Sequence, residues 1–290
     1  MEKFEKKKKT AAAELQVMDF LEKKLPFSVA VYAKYLHAHA YPEKETIHAL
    51  ALKENGVIQG AIVRSGLTVH PIFDDEVKKC GKFEKIASFF FKKNSASARQ
   101  LVFHGKACDV ELLEHYAAKL GLQPADHIVY DFMTAVDAPP AQGLYAGPPG
   151  LIIRQPGSFD IDRLFPLQAG YEQEEVLPKN GTFDPAMCRM VIERLVRHER
   201  ILIAELGGRI VGKINTNAVT PSWIQIGGVY VHPSYRQRGV ATRMTAVFVQ
   251  GLLDEGKRAS LFVKKEKPAA RNVYSRTGFK VAGDYRITYY

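Results

Sequence analysis

The densest run of chemistry-bearing residues lies between Val229 and Thr242, Val-Tyr-Val-His-Pro-Ser-Tyr-Arg-Gln-Arg-Gly-Val-Ala-Thr. An apolar stretch of strand character, Val229-Tyr230-Val231, delivers the chain to a basic, glycine-containing turn, and a helical period begins at Val240. The first N–H groups of a helix have no intrahelical acceptor, and the macrodipole adds partial positive charge there. Such a turn is an anion site. Gly239 and the small Ala241 let backbone amides approach a pyrophosphate closely, while Arg236 and Arg238 offer charge-assisted hydrogen bonds. On composition alone, a solvated polar turn is the competing reading.

Charge supports the anion reading by position. The 290 residues carry 41 Lys and Arg against 31 Asp and Glu, a net charge of +10. One basic cluster lies in Met1–Lys9, where the Lys6–Lys9 run has no aromatic residue interleaved and reads as a solvated tail. The other surrounds the Arg236–Ala241 turn and continues through Lys264, Lys265, Lys267 and Arg271.

The elements that position this turn follow from hydrophobic period and turn chemistry. Residues 135–150, AVDAPPAQGLYAGPPG, have two Pro-Pro pairs and no hydrophobic period, so they read as a linker between a first domain, 1–134, and a second, 151–290. In the second domain Leu151–Arg154 suits a strand, Asp160 an N-cap, and Asp184–His198 a helix. Gly207-Gly208 suits a hairpin turn between Ile201–Glu205 and Arg209–Asn215. The strand Trp223–Val231 is interrupted by Gly227-Gly228, which suggests a bulge. A helix at Val240–Leu253, a strand at Ala259–Val263, a helix at Pro268–Arg276 and a strand at Phe279–Tyr289 complete it. The first domain gives the same order: helices at Thr10–Leu21 and Phe27–Ala40, strands Ile47–Leu52 and Val57–Val63 across an Asn55-Gly56 turn, a strand at Leu67–Phe73, a helix from Asp75 to Lys92, a strand at Gln100–His104, a helix at Asp109–Leu120 and a strand at His127–Met133. Repetition of element order, rather than of sequence, points to an internal duplication.

Arg236, Gly239 and Ala241 resemble the cofactor loop of the GNAT acetyltransferase superfamily, whose pattern is Q/R-x-x-G-x-G/A between the fourth strand and third helix. Asn272-Val273-Tyr274-Ser275-Arg276-Thr277-Gly278-Phe279 resembles that family's late Y-x-x-x-G-F segment. The match covers about Leu151–Tyr290, and the stretch SLFVKKEKPAARNVYSRTGF is most similar to tandem GNAT proteins with a degenerate first repeat. The resemblance implies an α/β (α+β) fold of two GNAT-like lobes, each a mixed, mostly antiparallel sheet flanked by helices.

It also implies acetyl-CoA as cosubstrate, held in a V-shaped opening between the fourth and fifth strands, with no metal. Gly227-Gly228 corresponds to the family's bulge, Val229, Tyr230 and Val231 to its pantetheine contacts, and Arg236, Gln237, Arg238, Gly239, Val240, Ala241 and Thr242 to its pyrophosphate loop. Lys264, Lys265, Lys267 and Arg271 map to the cofactor's far side, where many members carry Asn. The implied reaction is direct attack of an amine on the thioester, with Tyr274 at the position often used as the acid. For the base, the fourth strand offers Gln225, which cannot titrate; His232 at the strand end and Glu172, Glu174 and Glu175 after the first helix are the candidates. Structural readings stand beside these: a core aromatic for Tyr274, a turn residue for His232, a solvated acidic turn for the glutamates.

The first repeat has His70-Pro71-Ile72-Phe73-Asp74-Asp75-Glu76 at the equivalent place, with three acids that repel a pyrophosphate. It is expected not to bind CoA in the same way. Cys80, Cys108 and Cys188 lack metal spacing, and His37 and His39 point to different helix faces, so no metal site is expected. With no apolar signal segment and no run approaching roughly 20 apolar residues, a soluble cytoplasmic protein is expected, without membrane or nucleic-acid partners. The acceptor is a small-molecule or peptide amine in this reading. A non-catalytic CoA sensor and an aminoacyl-tRNA-dependent transferase are the alternatives, the second disfavoured by a pyrophosphate loop that it would not use.

Overall fold

Local chemistry sets the turns of the structure, a computed structural model describing residues 11–41, 47–79, 82–94, 98, 100–137, 147–177 and 181–290. The basic tail, Cys80 and most of the Pro-Gly linker lie outside the described residues. Asn55 and Gly56 (φ +50° and +79°) join β1 (Ile47–Glu54) to β2 (Val57–Ser65), and Gly207 and Gly208 (φ +57° and +73°) join β7 (Ile201–Leu206) to β8 (Arg209–Val219). These are the left-handed conformations that a two-residue hairpin matching strand twist requires.

The chain divides into two compact units, residues 1–131 with 283–290, and residues 132–282. The boundary differs from the sequence expectation at both ends. It falls inside β5 (Asp126–Ala135) rather than in the linker. Gly283–Tyr290 joins the first unit because β11 (Lys280–Tyr289) forms an antiparallel ladder with β4 (Val102–Lys106), from Tyr285 opposite Lys106 to Tyr289 opposite Val102.

In the first unit, α1 (Ala11–Lys23) and α2 (Val29–Ala40) precede β1, β2 and β3 (Thr68–Phe73); α3 (Asp75–Lys79), α4 (Phe83–Lys93), β4 and α5 (Ala107–Lys119) follow. The helix expected from Asp75 to Lys92 is thus two helices. The strands run antiparallel from β1 to β3, and β4 then lies parallel to β3. Val17, Leu21, Val31 and Tyr32 from α1 and α2 pack with Ile47 and Ala61; Ile86, Phe90, Val110 and Leu113 from α4 and α5 pack with Val69 and Phe103.

In the second unit, β6 (Ile152–Arg154) precedes α6 (Ile161–Tyr171) and α7 (Pro185–His198). Then come β7, β8, β9 (Trp223–Val231), α8 (Val240–Asp254), β10 (Arg258–Lys264) and α9 (Pro268–Arg276). Strands β6 to β9 are antiparallel neighbours in order, and β10 is parallel to β9. From the helix pair onward both units therefore follow a similar order of elements, with a parallel pair after an antiparallel run of three strands in the first unit and four in the second. Helix α7 starts where Asp184 Oδ1 accepts the N–H groups of Ala186 and Met187 at 2.9 and 3.1 Å, with Pro185 in its first turn. Asp160 acts differently from the simple cap expected: its fully buried carboxylate accepts the Gly157 N–H at 3.0 Å and pairs with Arg154 and Arg163, each at 2.7 Å. These bonds, Arg154's first, hold its acidity above that of a free Asp.

Candidate functional site

Strands β9 and β10 are paired at only three positions, Trp223, Ile224 and Gln225 facing Arg258, Ala259 and Ser260. Beyond them Ile226–Val231 and Leu261–Lys264 part. A bulge in β9 accompanies the parting: Asn215 faces Gly227 and Lys213 faces Tyr230, so β9 advances three residues while β8 advances two. Gly228 carries the bulge at φ +59°, and a Cβ on it would lie 2.0 Å from Asn215 Oδ1. No other residue type fits there.

Both polar groups of Gly228 are taken by side chains. Lys213 Nζ donates to its carbonyl at 3.0 Å and to Asn215 Oδ1 at 3.1 Å, and Tyr171 bonds its backbone from the end of α6. Lys213 is 1% exposed, and its ammonium lies 4.7 Å from the Tyr171 ring centre. Burial drives its pKa down to about 7, against the opposing pull of Glu172 and Cys188. The same burial, with Glu172 beside it, pushes the Cys188 thiol up to about 11.

The chain leaves β9 through a 3-10 turn, Pro233–Tyr235, and enters α8 through Gln237 (φ +61°) and Gly239 (φ +78°). Among the described residues, no acceptor meets the backbone N–H groups of Gln237 to Thr242; the ladder resumes at Arg243, whose N–H bonds the Gly239 carbonyl at 2.9 Å. These donors stand at the positive end of a 15-residue helix. At the inner end of the opening, Gln225 Oε1 and Ser260 Oγ are buried without partners among the described residues, on residues that face each other at the last paired position.

The comparisons with known proteins decide the family of this unit. Residues 165–279 match the profile described as the Acetyltransferase (GNAT) family. These residues form a GNAT-family domain. A Drosophila protein of known structure aligns with 97% of this chain and 97% of its own at 11% identity and a TM-score of 0.70. A tandem GNAT protein from the clavulanic acid biosynthesis pathway aligns over 95% of this chain and 93% of its own, at 14% identity and a TM-score of 0.57. Similarity of fold therefore runs through both units. A GNAT-family acetyltransferase from Novosphingobium aromaticivorans aligns at 18% identity and a TM-score of 0.43, over 57% of this chain and 65% of its own length. A search of curated protein sequences gave no match.

Within the GNAT domain the structure redistributes several residues that the sequence assigns to the cofactor or to catalysis. A π-helical turn, Glu172–Val176, continues α6 and sends successive glutamates to opposite lips of the opening. Glu174 accepts from Tyr230 Oη at 2.6 Å and from Arg236 at 2.8 and 3.1 Å. Glu175 pairs with Lys267 at 2.8 Å and with Lys264 at 3.5 Å. Arg236, expected on an anion, is thus occupied: it also donates Nε to the Val231 carbonyl at 3.0 Å and lies over the Tyr230 ring. Although burial alone would raise it, the Glu174 carboxyl is held below its ordinary pKa by Tyr230 and Arg236, which makes it a weaker base. Burial and the Glu174 bond lift Tyr230 to about 12. His232 caps the 3-10 turn, its Nδ1 accepting the Ser234 N–H at 3.3 Å. Glu172 turns inward and accepts from Gln168 Nε2 at 2.8 Å.

Val229 is half-buried at the bulged lip, Val231 packs into the core, Arg238 lies exposed over the Tyr235 ring, and Arg271 is exposed on α9. Tyr274 is partly buried with its ring 5.9 Å from that of Phe279, and burial, then Tyr171 and Glu175, raises its pKa. Lys213 and Tyr171, which hold the bulge at Gly228, are residues of the opening that the sequence reading misses. Lys213 left a signal, a lone charge within the strand run Ile210-Val211-Gly212-Lys213-Ile214; Tyr171 left none. No His, Cys, Asp or Glu group among the described residues is placed to hold a metal ion, and no helix there is long and apolar enough to cross a membrane.

Proposed function

We propose that the GNAT domain is an acetyl-CoA-dependent N-acetyltransferase that transfers the acetyl group directly to an amine. The observation that carries this is the parting of β9 from β10 into a turn whose consecutive N–H groups, Gln237 to Thr242, lack protein acceptors. The parts fit a long, phosphate-ended thioester. The amides of Gly239 to Thr242 suit a pyrophosphate, the free lip of the bulged strand suits the amides of pantetheine, and the orphaned Gln225 and Ser260 suit polar atoms at the depth of the cleft.

Bound acetyl-CoA supplies an acyl carbon open to nucleophiles and a thiolate leaving group. The chain's own residues orient it and manage protons. A neutral amine forms the C–N bond as the C–S bond breaks; the nitrogen gives up one proton, and sulfur takes one. Tyr274, on α9 beside the opening, holds its proton at neutral pH and donates a hydrogen bond to the departing sulfur. Its raised pKa makes full transfer late, once negative charge on sulfur is largest. Glu174 and Glu175, at the mouth, are paired with Arg236 and with Lys264 and Lys267, so water carries the acceptor's proton away.

The test is thiol release from acetyl-CoA over an amine library, with CoA affinity measured on wild type and Gly239→Asp. The variant puts an anion and a side chain at a φ +78° position facing the donors. Unchanged CoA affinity in a folded Gly239→Asp protein overturns the cofactor assignment; CoA binding without release from any amine favours a sensor.

A further inference from the structure

The first unit repeats the strand parting of the second, and what lies in it is a different site. Strand β3 is parallel to β4 only at Thr68 opposite Val102 and Val69 opposite Phe103. Beyond that point the strands separate around a cavity of about 210 Å³, bordered by His70–Phe73 on one side and His104–Lys106 on the other, with Phe27 and Val31 above.

One wall holds a buried polar atom with nothing to bond. His70 is 3% exposed, and its Nε2 has no partner among the described residues. The ring's bond to the His104 backbone is therefore made by Nδ1. That bond favours a protonated nitrogen, so Nδ1 donates the hydrogen and Nε2 presents a lone pair. Burial keeps the ring neutral, and the T-shaped neighbour His104, 5.3 Å away and hydrogen-bonded to Tyr285 at 2.7 Å, opposes a charge on it. A buried, neutral Nε2 acceptor favours a ligand that brings a hydrogen-bond donor to it.

The opposite wall carries three lysines and three aspartates, with one lysine left outside the bonded pairs. Lys24 is paired with Asp74, and Lys78 with Asp109 at 2.9 Å and Asp75 at 3.2 Å. Among the described residues Lys106 has no carboxylate partner within bonding distance; its ammonium lies 5.4 Å from the Phe27 ring centre, at the start of the 13-residue helix α5. An ammonium with no bonded carboxylate, standing at a helix N-terminus, suits the carboxylate of a small ligand. It does not suit a pyrophosphate, since Asp74 and Asp75 stand at the β3 exit where the second unit has Arg236–Ala241.

From this arrangement we infer that the first unit binds a short carboxylate bearing a hydroxyl or amino hydrogen, its carboxylate on Lys106 and its hydrogen on His70 Nε2. Phe27, Val31 and Ile72 supply the apolar contact for a small side chain.

The test titrates the full chain with L-lactate, L-alanine, propionate and 1,2-propanediol while the ring-nitrogen NMR signals of His70 are followed. Lactate or alanine is expected to bind saturably and to shift Nε2, with Nδ1 nearly unmoved; whichever is tighter names the donor. Propionate, lacking that donor, and propanediol, lacking the charge, are each expected to bind about tenfold more weakly, the loss of one good hydrogen bond. His70→Phe is expected to abolish the preference for lactate over propionate, and Lys106→Met that over propanediol. Should His70→Phe fail to fold, the wild-type Nε2 signal under lactate against propionate still decides. Equal binding of all four probes, no saturable binding, or an Nε2 signal unmoved at saturation overturns the proposal.

Discussion

Lys213 Nζ lies 3.0 Å from the Gly228 carbonyl oxygen, so a buried amine on one central strand holds the bulge of the next. The amine is a poor place for a full charge, and its pKa of about 7 stands below the ordinary 10.5. Between these values the unfolded chain binds a proton that the folded chain does not, so stability from this group rises with pH through that window. The slope is at most about 1.4 kcal/mol per pH unit. Lys213→Met should remove it. Urea unfolding of both proteins at several pH values between neutrality and pH 10 measures the difference in slope; parallel curves would mean that Lys213 keeps its charge when buried.

Gly228→Ala should destabilise the second unit by roughly 2–4 kcal/mol, combining a left-handed backbone with a Cβ that meets Asn215 Oδ1. Gly207→Ala supplies the comparison. Its φ is +57° but nothing lies within 4 Å of the added carbon, so the backbone cost of about 1 kcal/mol stands alone. Equal losses in the two variants would remove the claim that close approach fixes glycine at the bulge.

Residues 223–231 and 268–276 have the bounds that sequence pattern alone assigns, because both segments end on strong signals: a proline follows His232, and Pro268 opens α9. The strand-to-helix turn at Arg236–Ala241 was legible for the same reason, since glycine at such a junction has a local cause. What was not legible depends on long-range pairing. Arg236 looks free in sequence, yet Glu174, 62 residues earlier, takes its guanidinium, and Glu175 reaches Lys267 across 92 residues. The closing strand likewise reads as part of the second domain, while its ladder partner, β4, lies more than 170 residues upstream.

Those ion pairs lead to a prediction about the cofactor. Glu175 holds Lys264 and Lys267 at the lip assigned to the cofactor's far side, so an anionic ligand competes with it for them. Glu175→Gln should strengthen CoA binding about two- to fivefold at low salt, with the gain shrinking as salt screens the charge. Calorimetry reads the affinity and, in the same experiment, the stoichiometry, which should be one CoA per chain because the first unit lacks the glycine turn. Weaker binding by Glu175→Gln would show that Glu175 shapes the lip rather than competing for it, and two CoA per chain would contradict the reading of the first unit.

Tyr274→Phe separates hydrogen bonding to sulfur from packing. The phenylalanine keeps the ring against Phe279 and the core around α8, so folding and CoA affinity should be close to wild type. Turnover on an identified acceptor should fall about 10²-fold, the usual size of a general-acid contribution, with little change in KM. The pH profile provides the second readout. Because burial, Tyr171 and Glu175 all raise the Tyr274 pKa, the phenol stays protonated to higher pH than an ordinary tyrosine. Activity on the alkaline side should therefore persist beyond pH 10 in wild type, where a phenol of ordinary pKa would already have lost its proton. If kcat is unchanged in a folded Tyr274→Phe protein, the ring is packing only, and water protonates the departing sulfur.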